Sequence, residues 1–234
     1  MFFEIKRSIQ SKMIIHIFIV SMLMALLAIA LVAGLDELEV TKELYFGSFF
    51  SVVTQFGILI LSFIVTRVFL VDINSHSTYF YQVYSKRKSL ILFNKYVVII
   101  ANFVISFAII FLIIGLIYGD IQMAFITFVY SIFVIIYQIT LISIISIFIG
   151  NMMYSIALSI GAWIFTVVLI SVSKIFLILN PFDQGQHIST EILQNITNSE
   201  FILNENIIMY LILYVFVFII ISLTMSKKWI ARGI

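Results

Sequence analysis

The chain has 234 residues, of which 63% are hydrophobic and 10% charged, with a mean hydropathy of +1.23. A soluble domain carries about 25% charged residues, so charge is too scarce here to cover a water-facing surface. The net charge of +2 is small, and the absence of cysteine excludes disulfides and cysteine-ligated metal sites.

The chain opens with FFEIKRSIQSK, residues 2–12, which places Phe2, Ile5 and Ile9 on one helical face and Lys6, Arg7 and Lys12 on the polar sides. Two readings fit: an amphipathic helix lying in the headgroup layer, or a basic flank that anchors the first span. Six apolar runs come next, at 13–33, 46–71, 96–118, 123–149, 155–176 and 206–225. About 20 apolar residues cross the roughly 30 Å hydrocarbon core as a helix. A β-barrel would need alternating segments of about ten residues, and these runs do not alternate. The expected fold is an all-α polytopic membrane protein with six transmembrane spans in a single domain, 1–234. The first run is longer than a signal-peptide core of about 7–15 residues and is expected to remain in the mature chain.

The connections differ in character. Residues 34–45 form a short acidic loop, and tight turns are expected at Gly119-Asp120 and Gly150-Asn151. Residues 72–95 (DINSHSTYFYQVYSKRKSLILFNK) form a polar, aromatic and basic loop between spans two and three. Between the last two spans, residues 179–205 contain the only proline, Pro181, and Ile188, Ile192 and Ile196 at intervals of four. That spacing predicts a short amphipathic helix. Asn195-Ile196-Thr197 matches a glycosylation sequon and is given no role.

Charge sorting sets the expected topology. Eleven of the thirteen Lys and Arg residues fall on one side of the spans, leaving Lys42 and Lys174 on the other. Nine of the eleven acids, among them Asp36, Glu43, Asp120 and Glu205, take the side poor in Lys and Arg. Both termini and the 72–95 loop are therefore expected in the cytoplasm, and the 179–205 helix outside.

Several chemistries are missing. The sequence has no GxxxxGK[ST] to cradle ATP phosphates. His16, His76 and His187 are scattered and form no HExxH. No span carries paired carboxylates near its middle, which counts against a proton relay and an intramembrane enzyme. The polar residues within spans are mostly uncharged and form stripes: Ser48, Ser51, Gln55, Ser62 and Thr66 in span two, and Ser155, Ser159, Ala162 and Thr166 in span five. Small and hydroxyl residues serve helix packing in lipid first, with a polar-lined route as the second reading. Gln55 is the sharpest route candidate, because an amide at membrane depth needs partners. Gly115-x-x-x-Gly119 reads as a packing motif, and Arg67 as a snorkelling cation.

In the 72–95 loop, Asp72, Asn74, Ser75 and Ser77 can cap a helix. Thr78–Tyr84 (TYFYQVY) is strongly aromatic, and Lys86, Arg87 and Lys88 come after it. A helix parallel to the membrane would project Tyr79, Gln82 and Tyr84 on one side. Aromatics flanked by cations suit protein docking, and they suit anionic headgroups equally well.

Taken together, the layout resembles the membrane subunit of an ABC exporter of the ABC-2 permease type. The shared features are the basic amphipathic start, Asp72 after span two, Thr78 shortly beyond, Ser85 and Arg87 in a basic stretch, and Lys95 before span three. Asn180-Pro181 in the last outer loop and the basic aromatic end Lys227-Lys228-Trp229-Ile230-Ala231-Arg232 complete the resemblance. The chain departs from the pattern in having Ser77 where a glycine is common, and no proline before the basic stretch.

The resemblance implies that the loop is a coupling helix seated in a groove of a separate ATPase subunit, with Asp72, Thr78, Tyr79, Gln82, Tyr84, Lys86 and Arg87 in that role. It implies two permease copies or homologues facing each other, with Gln55, Ser62, Ser159 and Thr166 along the route. ATP-Mg would be bound by the partner ATPase and no cofactor by this chain, and nucleic acid is not an expected partner. The compact size resembles permeases that export peptides or bacteriocins or give immunity to them, in a bacterial cytoplasmic membrane. The rival reading is a non-transporting sensor or assembly component that docks a partner through residues 72–95.

Overall fold

A computed structural model describes residues 2–10, 12–35, 40–75, 78, 90–183, 186–202 and 205–232. The regular structure among those residues is helical, without strands. A short α1 (Phe2–Gln10) is followed by α2 (Met13–Leu35), α3 (Lys42–Asn74), α4 (Ile91–Tyr118), α5 (Ile121–Ile149) and α6 (Met152–Val172). A 3₁₀ turn (Lys174–Leu179), α7 (His187–Thr197) and α8 (Glu205–Ala231) complete the order. Six of these helices, α2 to α6 and α8, are long and apolar enough to cross a membrane. The helices run beyond several apolar runs, most clearly at α8, whose basic last turn stays helical. Span five instead ends early: α6 stops at Val172 and the 3₁₀ turn takes up the rest.

The helix ends result from local chemistry. Thr41 Oγ1 caps α3 by accepting from the Leu44 N–H, and Asp120 caps α5 by accepting from Met123. Asn151 accepts from the N–H groups of Met153 and Tyr154 at the start of α6. Helices α4 and α5 end in left-handed residues, Gly119 at φ 69° and Gly150 at φ 71°, a conformation glycine adopts without steric cost. These caps let antiparallel neighbours succeed each other through turns of about two residues.

Packing sorts the helices into an inner and an outer set. Helices α3 and α5 are the most buried and α8 the least, and α3 packs against α2, α4, α5, α6 and α7. The core is aromatic: Phe49 and Phe111 meet edge to face at 4.7 Å, and Tyr96 stacks on Phe218 at 4.1 Å. The outward faces of α2 and α8 carry Leu23, Leu26, Ile212 and Phe216, which are exposed as a lipid solvent requires.

The α4–α5 hairpin closes over Gly115, where a Cβ would lie 2.8 Å from the Ala124 Cβ and 3.4 Å from the Ile121 Cα. Neither neighbour can rotate away. Gly115→Ala is therefore expected to pry the hairpin open and cost about 1–3 kcal/mol, read as a lower thermal midpoint in a fixed detergent.

The two ends of the bundle differ in charge. One gathers Lys42, Asp120 and the 174–205 segment; the other gathers α1, the ends of α3 and α4 adjoining the 72–95 loop, and the C-terminus. At the acidic end, Lys42 Nζ donates to Asp120 Oδ2 at 2.7 Å. The Lys42 hydrogen bond, then the Met123 N–H, hold the Asp120 carboxyl below its ordinary range. Tyrosines fasten the segment between α6 and α8 there: Tyr137 and Tyr214 both donate to the Leu179 carbonyl, and Tyr130 to that of Ile202. The expected amphipathic helix is α7, with Ile188, Ile192 and Ile196 buried. Asn195 is buried and donates to the Tyr130 hydroxyl at 3.1 Å, so the sequon is an internal contact.

Candidate functional site

The basic end contains the densest chemistry in the described residues. Asp72 lies in the last turn of α3 and Lys95 in the first turns of α4, so each sits where the 72–95 loop leaves or rejoins the bundle. Lys95 Nζ donates to Asp72 Oδ2 at 2.6 Å and to the Val68 carbonyl at 3.1 Å. Both side chains are buried, at 1% and 0% exposure. Glu4 Oε2 of α1 lies 4.0 Å from the same ammonium, and the Trp229 ring of α8 is centred 5.6 Å away. Four helices therefore meet at one lysine.

A second contact fixes α1: Asn102 of α4 donates to Ser8 Oγ at 2.8 Å. The N-terminal segment is a discrete helix, broken from α2 at Lys12 with φ 55°. Its polar Glu4 and Ser8 turn toward the bundle, while Ile5 and Ile9 are exposed.

At the far side, Arg232 Nη1 donates to the Ile147 carbonyl at 2.6 Å and lies over Gly150. That carbonyl belongs to the last turn of α5, where a cation is favoured.

The coupling candidates divide into two groups. Asp72 points inward to Lys95. Thr78 is fully buried, and its hydroxyl finds no hydrogen-bond partner among the described residues. Tyr79, Gln82, Tyr84, Lys86 and Arg87 lie outside the described residues. The capping role considered for Asp72 gives way to a different position, because α3 continues to Asn74 and is capped by Ser75.

Three hydroxyls of the polar stripes bond within their own helices. Ser62 donates to the Leu59 carbonyl, Ser159 to Ser155 and Thr166 to Trp163, each on its own helix, and all three are buried. Thr66 instead reaches Ser146 of α5, with the hydroxyls 3.1 Å apart. Helices α3 and α6, which carry the two stripes, pack on each other. Gln55 is half-buried.

The amide inside the bundle is Gln138 of α5, which belongs to neither stripe. Its Nε2 donates to the Val53 and Thr54 carbonyls of α3, while its Oε1 is buried and accepts no hydrogen bond among the described residues. Gly57 opposite leaves the room it occupies. A signal for it is present in the sequence: Thr127, Ser131 and Gln138 recur at intervals of four and seven, as one face of a helix does.

No solved structure matches the chain. A "Probable peptide export permease protein YydJ" of Bacillus subtilis strain 168 is 30% identical over 238 residues, covering 99% of both chains. The model of the Peptide export permease protein YydJ family matches residues 1–234. With six apolar helices and this end-to-end match, the chain is a multi-pass membrane protein that belongs to the YydJ peptide export permease family.

Proposed function

We propose that this chain is the membrane-spanning permease subunit of an ATP-driven exporter of the ABC-2 type. Its cargo is an amphipathic or hydrophobic peptide, and it works in a bacterial cytoplasmic membrane with the basic end inside. The family match over the full chain carries this reading, since the relative is named as a probable peptide export permease. The sequence contains no GxxxxGK[ST], so a separate ATPase subunit supplies the energy. The spans hold little charge to bind an ionic cargo, which favours an apolar one.

The Asp72–Lys95 pair supports a coupling role for residues 72–95. A loop whose two ends are joined by a buried ion pair moves as one piece with α3 and α4. Tyr79, Gln82, Tyr84, Lys86 and Arg87 would contact the ATPase, while Asp72 and Thr78 act from inside by holding the loop to the bundle. A second permease copy or homologue would face this one, with Gln55, Ser62, Ser159 and Thr166 beside the route.

The test is a mild-detergent pull-down of the tagged chain from its native membranes, with mass spectrometry of the co-purifying proteins. The expected result is a Walker-motif ATPase in near-equal amount, lost on Tyr79→Ala with Tyr84→Ala. Charge reversal at Lys86 and Arg87 is expected to abolish export while the chain stays in the membrane. A stable chain that brings no ATPase would replace this reading with the sensor or assembly role.

A further inference from the structure

A cavity of about 410 Å³ lies at the basic end, where α1 and the start of α2 lean on α3 and α4. That is within the range of small-molecule sites. Its polar lining is Glu4, Ser8, His16, Arg67 and Lys95. The apolar lining includes Phe63, Ile64, Val68 and Met152. Phe63 is 56% exposed and stands four residues before Arg67, on the same helical face. The cavity therefore opens sideways at a level where the bundle surface is apolar.

The charges within it are unequally met. Lys95 is paired with Asp72 and lies near Glu4. His16 Nδ1 lies 2.9 Å from the Lys12 carbonyl, to which it donates. Arg67 is exposed, and its guanidinium makes no hydrogen bond or ion pair among the described residues. It sits five residues inside Asp72, about 7.5 Å along the α3 axis, within reach of the headgroup level at the end of the span. A phosphate answers that cation with two parallel hydrogen bonds from the planar guanidinium.

We propose that this cavity binds one glycerophospholipid from the leaflet at the basic end. Its phosphate sits on Arg67, and an acyl chain lies along Phe63, Ile64 and Met152. Ser8 of α1 lines the same cavity, so the lipid joins α1 to α3, beside the two side-chain contacts that join α1 to α4. The proposal rests on the chain being a membrane protein and is independent of any ATPase.

Native mass spectrometry of the full chain in detergent tests this with three probes: dioleoyl phosphatidylglycerol, dioleoylglycerol with the same chains but no phosphate, and inorganic phosphate. The expected result is one retained phosphatidylglycerol per chain, no retained dioleoylglycerol, and no displacement by inorganic phosphate. Arg67→Gln lowers retention about tenfold, and Arg67→Lys gives an intermediate loss because it keeps the charge without the fork. Ile64→Trp lowers retention by filling the cavity with the charge unchanged. Lys228→Gln, an exposed cation at the same end, leaves retention as it was. Equal retention by Arg67→Gln and the parent would overturn the proposal, as would equal losses in Arg67→Gln and Lys228→Gln. Displacement of the lipid by a hydrophobic peptide, with peptide binding abolished by Ile64→Trp, would overturn it in favour of a cargo site.

Discussion

Replacing Lys95 by alanine will be among the most damaging single changes in this chain. It leaves the Asp72 carboxylate buried at 0% exposure with its closest cation gone. Breaking a buried pair from one side costs about 3–5 kcal/mol, because a buried carboxylate is stripped of the cation it faces. Glu4 loses its nearby ammonium in the same step. The double variant Lys95→Met with Asp72→Leu removes both charges and keeps the volume, so it is expected to recover most of the loss. Thermal unfolding of the parent, both singles and the double in one detergent measures the coupling. A Lys95→Ala chain that melts with the parent would show that the pair carries no structural weight. Export should respond differently: the double variant regains stability without regaining activity if the pair transmits movement from the loop.

The second large effect is expected at Gly57→Ala. The new Cβ would lie 2.4 Å from Gln138 Oε1, so the amide must swing away. It then gives up the hydrogen bonds to the Val53 and Thr54 carbonyls, at 3.0 and 3.3 Å. A buried donor left without a partner costs about 1–3 kcal/mol. In a Gln138→Ala background the same glycine substitution meets no amide, so its cost should largely disappear. Strict additivity of the two changes would show that Gly57 is small for some other reason.

The helical class was readable because length and apolarity alone decide it, and the positions of the turns were readable from Gly119, Gly150 and their polar neighbours. The sorting of charge also grouped residues that the fold brings to the same end, Lys42 with Asp120, and Glu4 with Lys95 and the C-terminus. The pairing itself was less visible. Asp72 and Lys95 are 23 residues apart, and only the crossing of α3 and α4 makes them neighbours. The resemblance marks both positions without connecting them.

Gln55 and Gln138 show a different limit. Both are amides in apolar spans, and each shares a helical face with hydroxyl residues, so the pattern alone does not rank one above the other. Which faces the interior depends on helix rotation, settled here by the space beside Gly57. The spacing placed Ile5 and Ile9 on one face of α1, but that Glu4 and Ser8 make the face that meets the bundle was not legible in it.

The 33 residues of α3 form a rod about 50 Å long, well over the roughly 30 Å hydrocarbon thickness. The rod touches five other helices and holds Asp72 near one tip and Lys42 at the other. If such a rod tilts as a unit, a push on the basic tip arrives at the acidic tip with reversed direction about a pivot in the core. Spin labels placed near the two tips would then move in opposition during each cycle.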